Sequence, residues 1–292
     1  MNKQISRRSA LKTVAGTATI LGASMMFPLS MLADDSRARL KGNIHHSVSA
    51  WCYGSVGLEG LCRFCKEIGI ESVELIGPKN FDLIKKYDLT CAMCEGPSSI
   101  PNGWNRVENH EKYLKAFEEA IPVVAKYGFQ NIITFSGNRA GMSDEEGLEN
   151  CVKGLKKLMP IAEKHKVTVV MELLNSKRDH KDYMCDHSAW GVEMCKRIGS
   201  ERMKLLYDIY HMQIMEGDVI NTIRENHQYF GHYHTGGCPG RNEIDDSQEL
   251  NYPAIMKAIV ATGYKGYVGQ EFVPTNPLPL RSLAQSIQIC DV

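Results

Sequence analysis

Four apolar segments in the second half of the sequence each end in a side chain that can bind a metal ion. The segments 169–172, 205–208, 230–234 and 267–271 end in Glu172, Asp208, His234 and Glu271. Carboxylates held together repel one another, so a bound divalent cation is their natural compensation. Oxygen ligands with one imidazole suit Mn²⁺ or Mg²⁺, and also Co²⁺, better than a thiolate-preferring zinc site does. The sequence therefore predicts one divalent metal ion held by these four residues.

Each of these positions, taken alone, has an ordinary structural explanation. A carboxylate that ends an apolar strand is often the first solvated residue of a loop or the cap of a helix. A single histidine is more often a structural residue than a ligand. Four such positions at the ends of successive segments favour a metal site over four coincidences.

Residues 231–241, GHYHTGGCPGR, add two further candidates. His232 and His234 are two positions apart, so in a strand their side chains share one face and His232 lies one layer deeper. We interpret His234 as the ligand and His232 as a residue that packs against a ligand or orients it. Three glycines precede Arg241 and let its guanidinium approach a substrate carboxylate or hydroxyl. An ordinary solvated arginine is the alternative.

These side chains need a scaffold that brings strand ends together, and the hydrophobic pattern predicts one. Short apolar runs alternate with amphipathic helical segments from residue 44 onward, which predicts parallel strands joined by helical crossovers. The eight predicted strands are His46–Trp51, Ser72–Leu75, Leu89–Cys94, Asn131–Phe135, Val167–Glu172, Met203–Asp208, Tyr229–His234 and Gly266–Glu271. The predicted helices are Leu58–Ile68, His110–Tyr127, Glu145–His165, Trp190–Ile198, Val219–Asn226 and Pro253–Thr262.

Eight strand-helix units in residues 34–292 match the size of one (β/α)8 TIM barrel, an α/β fold. A doubly wound open sheet is the competing architecture, but neither a G-x-G-x-x-G nor a Walker-type motif follows a predicted strand. The carboxyl ends of barrel strands open onto one face, where catalytic groups are found. We therefore expect a single catalytic domain over 34–292, with the four candidate ligands facing a common point.

The composition fits an ordinary globular protein. Of the 292 residues, 43% are hydrophobic and 23% are charged, with 34 basic residues against 34 acidic ones. The formal net charge is zero, so no overall field attracts a polyanion. Nucleic acid is therefore not an expected partner, and a small molecule is.

The first 33 residues differ from the rest and predict an export signal. Residues 6–12, SRRSALK, resemble the twin-arginine signal and lead into a weakly apolar run over 14–32. A membrane anchor is the alternative, since the run approaches the roughly 20 residues that a span needs. The paired arginines favour export to the periplasm, with cleavage near Ala33 and no stable membrane insertion afterwards.

The cysteine spacing is typical of a thiolate site, but the predicted secondary structure disfavours one. Cys62 and Cys65, like Cys91 and Cys94, have C-x-x-C spacing, which is typical of zinc or redox sites. The first pair falls inside a predicted helix and the second in a predicted strand, where neighbouring side chains diverge. Buried cysteines that act as small hydrophobic residues are the preferred interpretation.

Five segments carry a family pattern: YDIYHMQ at 207–213, MEG at 215–217, PGRNE at 239–243, LNYP at 250–253 and GYVGQEF at 266–272. Together they resemble the hydroxypyruvate isomerase branch of the xylose isomerase-like barrel superfamily. The resemblance implies a (β/α)8 barrel and one divalent metal ion at the four residues reached above. It also implies that Glu172 and Glu271 exchange a proton with a substrate carbon, and that His211 binds a substrate oxygen.

Two positions keep the substrate class open. Members of the hydroxypyruvate isomerase branch that this sequence resembles can carry glutamine where this chain has His234. Related ketose 3-epimerases carry histidine there. The epimerases in turn place a glutamate where this chain has Arg178. The alternatives to an isomerase of a small hydroxycarbonyl acid or sugar are therefore a ketose 3-epimerase and a non-catalytic sugar-binding barrel of the cell envelope. The latter would not need both glutamates.

The expected reaction moves a proton beside a carbonyl through an enediolate, with one glutamate removing the proton and the other returning it. Three further residues could contribute to the site: Trp51 and Glu74 near the ends of predicted strands, and Trp104 in the loop 97–104. Trp51 and Trp104 are candidates for pocket walls or for core packing, and Glu74 for a further polar contact. A homo-oligomer is left open by the sequence.

Overall fold

The alternating pattern builds a parallel sheet that curls into a barrel with helices on its outer side. The structure is a computed structural model and describes residues 40–292. The strands are β1 His45–Ser49, β2 Ser72–Glu74, β3 Asn131–Thr134, β4 Thr168–Glu172, β5 Met203–Asp208, β6 Phe230–Thr235 and β7 Tyr267–Gln270. Their order is β2-β1-β7-β6-β5-β4-β3, and every neighbouring pair is parallel. The prediction of an α/β TIM barrel is confirmed.

The prediction of a third strand over Leu89–Cys94 is wrong. This segment lies between β2 and β3 and closes the ring through isolated bridges of Cys94 with Ile76 and with Ile132. Side chains, rather than a neighbouring backbone, bind the middle of the segment. The Ala92 N–H donates to Ser72 Oγ at 2.8 Å, and the Ala92 carbonyl accepts from Asn131 Nδ2 at 2.8 Å. The backbone ladder is therefore interrupted at a position where the apolar run predicted it to continue.

The helices fill the outer layer. They are α1 Leu58–Ile68, α2 Phe81–Lys86, α3 His110–Lys126, α4 Asp144–His165, α5 Ser188–Ile198, α6 Ile209–Met215, α7 Val219–Asn226, α8 Tyr252–Ala261 and α9 Pro279–Cys290. The six predicted helices are present, with ends that differ by two residues at most. The sequence did not predict α2, α6 or α9. The first two have six and seven residues and are too short for a periodic signal. In α9, however, Leu283, Ile287 and Cys290 do recur at helical spacing and are buried.

The barrel interior is divided into an apolar part and a polar part. The apolar part is a cluster of Met93, Ile133, Val170 and Leu206, which lies apart from the main core between sheet and helices. The polar part contains the fully buried side chains of Ser47, Ser72, Glu74, His232 and His234. Because a buried polar group without a partner is costly, a polar interior indicates a built arrangement of partners.

The first and last described segments are bonded to each other at the amino-terminal end of β1. The Lys41 N–H lies 3.0 Å from both carboxylate oxygens of Asp291, and Lys41 Nζ donates to the Asp291 carbonyl at 2.8 Å. Asn43 Nδ2 donates to the Val292 carbonyl at 2.9 Å. These contacts hold α9 against the first strand.

The cysteines pack as small hydrophobic residues, as predicted. All ten are free thiols, and nine of them are buried. Cys62 and Cys65 lie on the buried face of α1, and Cys91 and Cys94 belong to the core.

The predicted signal peptide, residues 1–33, lies outside the described residues, so export stays a prediction. Between residues 40 and 292, no helix is both long enough and apolar enough to cross a bilayer. Trp104, one of the candidate pocket walls, is instead a core residue with no exposed surface, and its Nε1 donates to Thr134 Oγ1 at 2.7 Å.

Candidate metal and substrate site

The four predicted ligands meet at the carboxyl-terminal end of the barrel. Glu172 ends β4, Asp208 ends β5, His234 lies in β6 and Glu271 directly follows β7. The register of β5 and β6 pairs Asp208 with His234. One possible ligand atom from each residue lies within 4.8 Å of those of the other three, and all four side chains are buried. Four positions that are up to 99 residues apart in sequence (172 to 271) are thus brought to one point.

His234 is the centre of this cluster. Its Nδ1 lies 2.6 Å from Glu271 Oε2 and 3.4 Å from Glu172 Oε1. Neither approach has hydrogen-bond angles, so His234 Nδ1 and Glu172 Oε1 have no hydrogen-bond partner among the described residues. Buried polar atoms that converge without satisfying one another fit a bound cation.

The crowded charges perturb the carboxylates in opposite directions. Burial raises the pKa of Glu172 to about 7, and the nearby Glu271 carboxylate adds to the effect. Burial likewise raises the pKa of Asp208 to about 6. Burial also opposes ionisation of Glu271, but His234 and Arg241 outweigh it and lower the pKa of this carboxyl to about 2. The raised pKa values of Glu172 and Asp208 indicate that the cluster resists further negative charge, which a bound divalent ion would compensate.

Arg241 lies at the edge of the same cluster. Its NH2 donates to Glu271 Oε2 at 2.6 Å and to Asp208 Oδ2 at 3.1 Å, and its side chain is only 14% exposed. The guanidinium lies 5.6 Å from the ring centre of Trp51 and 5.5 Å from that of Tyr210, in cation–π geometry. The predicted approach of Arg241 to the site is therefore present.

A tight loop delivers this arginine. Gly237 donates to and accepts from nearby loop backbone, and a Cβ at this position would lie 2.1 Å from the Glu243 carbonyl oxygen. A side chain at Gly237 would therefore force the loop apart. Arg241 itself has a φ of 56°, in the left-handed region that few residues other than glycine adopt.

His211 reaches the site from the first turn of α6. Asp208 caps this helix, since its Oδ1 accepts from the His211 N–H at 3.0 Å while its Oδ2 lies beside Arg241 in the cluster of candidate ligands. Burial, with the nearby Arg241, lowers the pKa of His211 well below its usual value, so its imidazole is neutral.

Asn175 determines which nitrogen of His211 carries the proton. Asn175 Oδ1 accepts the backbone N–H groups of Arg178 and Asp179, each at 3.0 Å, which fixes the orientation of the amide. Its Nδ2 therefore faces His211 Nδ1 at 2.6 Å as a donor, and the second amide proton goes to Asp179 Oδ2 at 2.7 Å. Since His211 Nδ1 accepts, the proton lies on His211 Nε2.

Two donors consequently face each other. Arg241 NH1 lies 2.7 Å from His211 Nε2, and both nitrogens carry hydrogen in this arrangement. An acceptor oxygen placed beside them would satisfy both groups. The two residues predicted to bind substrate, His211 and Arg241, thus lie in contact at the edge of the cluster.

A cavity of about 350 Å³ opens beside the cluster, within the usual size range of small-molecule sites. Its walls include Trp51, Phe135, Leu174 and His180, next to Glu172, Arg241 and Glu271. Trp51 is half exposed, and its Nε1 donates to Glu271 Oε1 at 2.7 Å. The sequence predicts Trp51 as a wall or packing residue and gives no sign of this contact with a candidate ligand.

Three further residues near the cluster, Asn175, His180 and Glu74, are not assigned to it by the sequence pattern. Asn175 follows the candidate ligand Glu172 by three residues, in the loop after a strand, and that position is the signal that was available. His180 packs edge-on against His211, with ring centres 5.2 Å apart. His232 lies deeper in the barrel than His234, as predicted, and both histidines contact Glu74.

Comparison with known proteins agrees with this architecture. The chain is 37% identical over 108 residues to 2-oxo-tetronate isomerase of Cupriavidus necator, a match that covers 37% of this chain and 41% of that relative. It is 27% identical over 228 residues to hydroxypyruvate isomerase of Escherichia coli, covering 73% of this chain and 88% of the relative. The chain therefore spans less than half the length of the first of these relatives and most of the second.

Among solved structures, the fold is similar to a family 2 AP endonuclease from Brucella melitensis. The TM-score is 0.76 at 23% identity, and the alignment covers 83% of this chain and 98% of that chain. This likeness concerns the fold alone. The model of the family described as xylose isomerase-like TIM barrel matches residues 62–289, which is most of the chain. The protein therefore belongs to the xylose isomerase-like TIM barrel family.

Proposed function

We propose that this protein is a divalent-metal-dependent isomerase of a small hydroxycarbonyl acid or sugar, similar to hydroxypyruvate isomerase. The prediction of an enzyme of the isomerase class is confirmed by its relatives. One observation above all supports the finer proposal. Glu172 and Glu271 come from β4 and from the end of β7, yet their carboxylate oxygens approach the same atom, His234 Nδ1.

The cluster fits a divalent ion of the Mn²⁺, Mg²⁺ or Co²⁺ type. Glu172, Asp208, His234 and Glu271 would hold it, three as oxygen ligands and one as a nitrogen ligand. When bound, such an ion supplies Lewis-acid stabilisation of the negative charge that develops on substrate oxygens.

The two glutamates are the proposed acid and base. A carboxylate has two oxygens, so one can bind the cation while the other faces a substrate carbon. Trp51 donates to Glu271 Oε1 and Arg241 donates to Glu271 Oε2, which fixes the plane of that carboxylate. In the proposed reaction one glutamate removes a proton from the carbon beside the carbonyl, the other delivers a proton to the neighbouring carbon, and the hydroxyl proton passes from one substrate oxygen to the other.

His211 and Arg241 are the proposed substrate-oxygen donors. The facing nitrogens, His211 Nε2 and Arg241 NH1, are both donors. A carbonyl, hydroxyl or carboxylate oxygen of the substrate would accept a hydrogen bond from each of them. The Arg241 guanidinium also lies within cation–π distance of the rings of Tyr210 and Trp51. The small cavity limits the substrate to a compact molecule.

Epimerisation of a free ketose is the second candidate, because the same two glutamates could address two faces of one carbon. His234 favours epimerisation, because the ketose 3-epimerases that the sequence resembles carry histidine at this position. Arg178 disfavours it, because those epimerases carry glutamate there. Arg178 lies on the surface and lines a neighbouring groove rather than the site cavity. A substrate screen separates the two reactions, since they leave deuterium on different carbons.

The test is proton exchange in deuterated water with Mn²⁺ or Mg²⁺, using small hydroxycarbonyl acids and free sugars. We expect deuterium to enter carbon-bound positions of one substrate class, and Glu271→Gln to slow exchange at least 100-fold, the usual scale of acid–base catalysis. Glutamine keeps a carbonyl oxygen for the metal, so bound Mn²⁺ is measured in parallel to separate metal loss from lost proton transfer.

Glu163→Gln, on the exposed face of α4, is the matched control and should exchange at the parent rate. Full activity in Glu271→Gln would remove this residue from the mechanism. No exchange with any tested substrate in the metal-loaded parent would contradict the proposed chemistry.

A further inference from the structure

Glu74 has no place in the proposed reaction, although it is one of the most completely buried carboxylates in the described chain. It is the last residue of β2 and has no exposed surface. Its Oε1 lies 2.7 Å from His234 Nε2 and 3.0 Å from His232 Nε2. One oxygen atom therefore accepts from two imidazoles in the polar part of the barrel interior.

We propose that Glu74 is a positioning residue that holds His234 with its proton on Nε2 and its Nδ1 turned toward the metal cluster. His234 Nε2 points down at Glu74, and His234 Nδ1 points up at Glu172 and Glu271. A carboxylate that accepts the distal N–H of a ligand histidine fixes the ring and makes the other nitrogen a better ligand. The inference rests on the proposed function only in assigning a cation to that cluster.

His232 has a matching role. Its ring stands edge-on to that of His234, with centres 5.0 Å apart, and its N–H reaches the same oxygen. It thereby holds the Glu74 carboxylate under His234 from the side. The spacing of two residues in β6 puts both rings on the interior face.

The barrel wall is shaped to admit this carboxylate. Gly269 in β7 pairs with His234, and a Cβ at this position would lie 2.1 Å from Glu74 Oε1 and 2.9 Å from His234 Cδ2. Any other residue at 269 would collide with the bonded pair. Glycine in the middle of a buried strand is unfavourable in itself, so close approach explains its presence here.

A second metal ion at Glu74, His232 and His234 is the competing explanation. The three residues offer ligand atoms within 4.8 Å of one another. However, a single oxygen at ordinary hydrogen-bond distance from both histidines is the geometry of two accepted N–H bonds. Glu74 would thus support one ion from below rather than bind another.

The experiment titrates Mn²⁺ into metal-free protein by calorimetry, without substrate. We expect the parent to bind one ion per chain, and Glu74→Gln to bind one ion with a Kd raised roughly 10–100-fold. Gly269→Ala, which crowds the Glu74–His234 pair and leaves both residues in place, should also weaken binding. Ser47→Ala removes a different buried polar contact of the interior and is the control, with a Kd within about twofold of the parent.

Several results would overturn the proposal. Parent-like affinity in Glu74→Gln would show that His234 needs no such support, and two ions per parent chain with one lost in Glu74→Gln would make Glu74 a ligand. If neither variant folds, ¹⁵N spectra of the Mg²⁺-loaded parent decide. His234 should be protonated at Nε2, and coordination through Nε2 would contradict the inference. Intact Mn²⁺ affinity without proton exchange would count against the proposed function and not against Glu74.

Discussion

Asp208 shows how one side chain serves the fold and the site together. Its Oδ1 caps α6 and its Oδ2 faces the cluster and Arg241. The helix cap considered for such a residue is therefore present, and the same carboxylate also lies at the cluster of candidate ligands. Because the cap fixes the carboxylate, the same bond that begins α6 also orients a candidate metal ligand and places His211 three residues later.

Asn175 is the residue on which the donor character of His211 depends. In Asn175→Asp, an acceptor oxygen would replace the amide nitrogen that faces His211 Nδ1. The proton would then move to His211 Nδ1, and Nε2 would become an acceptor for Arg241 NH1 instead of a donor to substrate. We expect kcat of the proton exchange to fall roughly 100-fold, with Mn²⁺ affinity changed by less than about threefold.

Asn175→Ala is the comparison, since it removes the donor without supplying an acceptor and should cost less. The tautomer is checked by ¹⁵N spectra of the imidazole. An Asp variant no slower than the Ala variant would exclude a tautomer effect.

The candidate ligands could be found from sequence because each ends an apolar run, and the barrel brings run ends together. Glu74 also ends a strand, but its carboxylate turns inward below the cluster, and no sequence pattern distinguishes an inward from an upward carboxylate. Asn175 and Trp51 act through contacts with His211 and Glu271, which depend on loop geometry. Such contacts become visible only in three dimensions.

At the scale of elements, the misassigned segment Leu89–Cys94 shows where pattern reasoning fails. Its apolar run does occupy the place of a barrel strand, and its ends pair with β2 and β3 neighbours. Only the middle differs, because Ser72 and Asn131 side chains take the hydrogen bonds of Ala92. Hydrophobic periodicity indicates which side chains are buried. It does not indicate whether a backbone group bonds to a neighbouring backbone or to a side chain.

Ser72 is therefore expected to stabilise the ring where the ladder is broken. Ser72→Ala leaves the buried Ala92 N–H without its acceptor, and we expect a loss of about 1–3 kcal/mol in the free energy of unfolding. Amide exchange at Ala92 should accelerate in this variant.

Ser47→Ala is the control for this prediction, since Ser47 Oγ donates to Ser72 Oγ and makes no bond to Ala92. Its loss should stay below about 1 kcal/mol, the scale of one ordinary side-chain hydrogen bond. Equal losses in the two variants would mean that the Ala92 bond contributes nothing measurable.

At the scale of the whole molecule, stability should fall in acid because His46 is buried where β1 meets the last helix. Burial lowers the pKa of His46 to about 4, with Asp291 opposing and His45 adding to the shift. The unfolded chain takes up this proton near pH 6.5, whereas the folded chain does not until about pH 4. The contribution of the buried neutral His46 to the free energy of unfolding is therefore complete above pH 6.5 and is lost as the pH falls toward 4.

Urea unfolding at pH 7.5 and pH 5.0 measures this effect. We expect the parent to lose about 2 kcal/mol more between these pH values than His46→Leu does. His45→Gln, at the partly exposed neighbouring position, removes only a minor cause of the shift and should change this pH dependence far less than His46→Leu does. The same pH dependence in His46→Leu and the parent would assign the acid lability to other groups.

The hydrogen bonds of Lys41 and Asn43 with the last two residues also determine where an attached tag or linker lies relative to the cavity. The described residues begin and end at the amino-terminal end of the barrel, beside the start of β1. The cavity opens at the carboxyl-terminal end. A purification handle or surface linker joined after Val292 would therefore lie on the side of the barrel away from the entrance. An immobilised sample should admit small molecules as freely as one in solution.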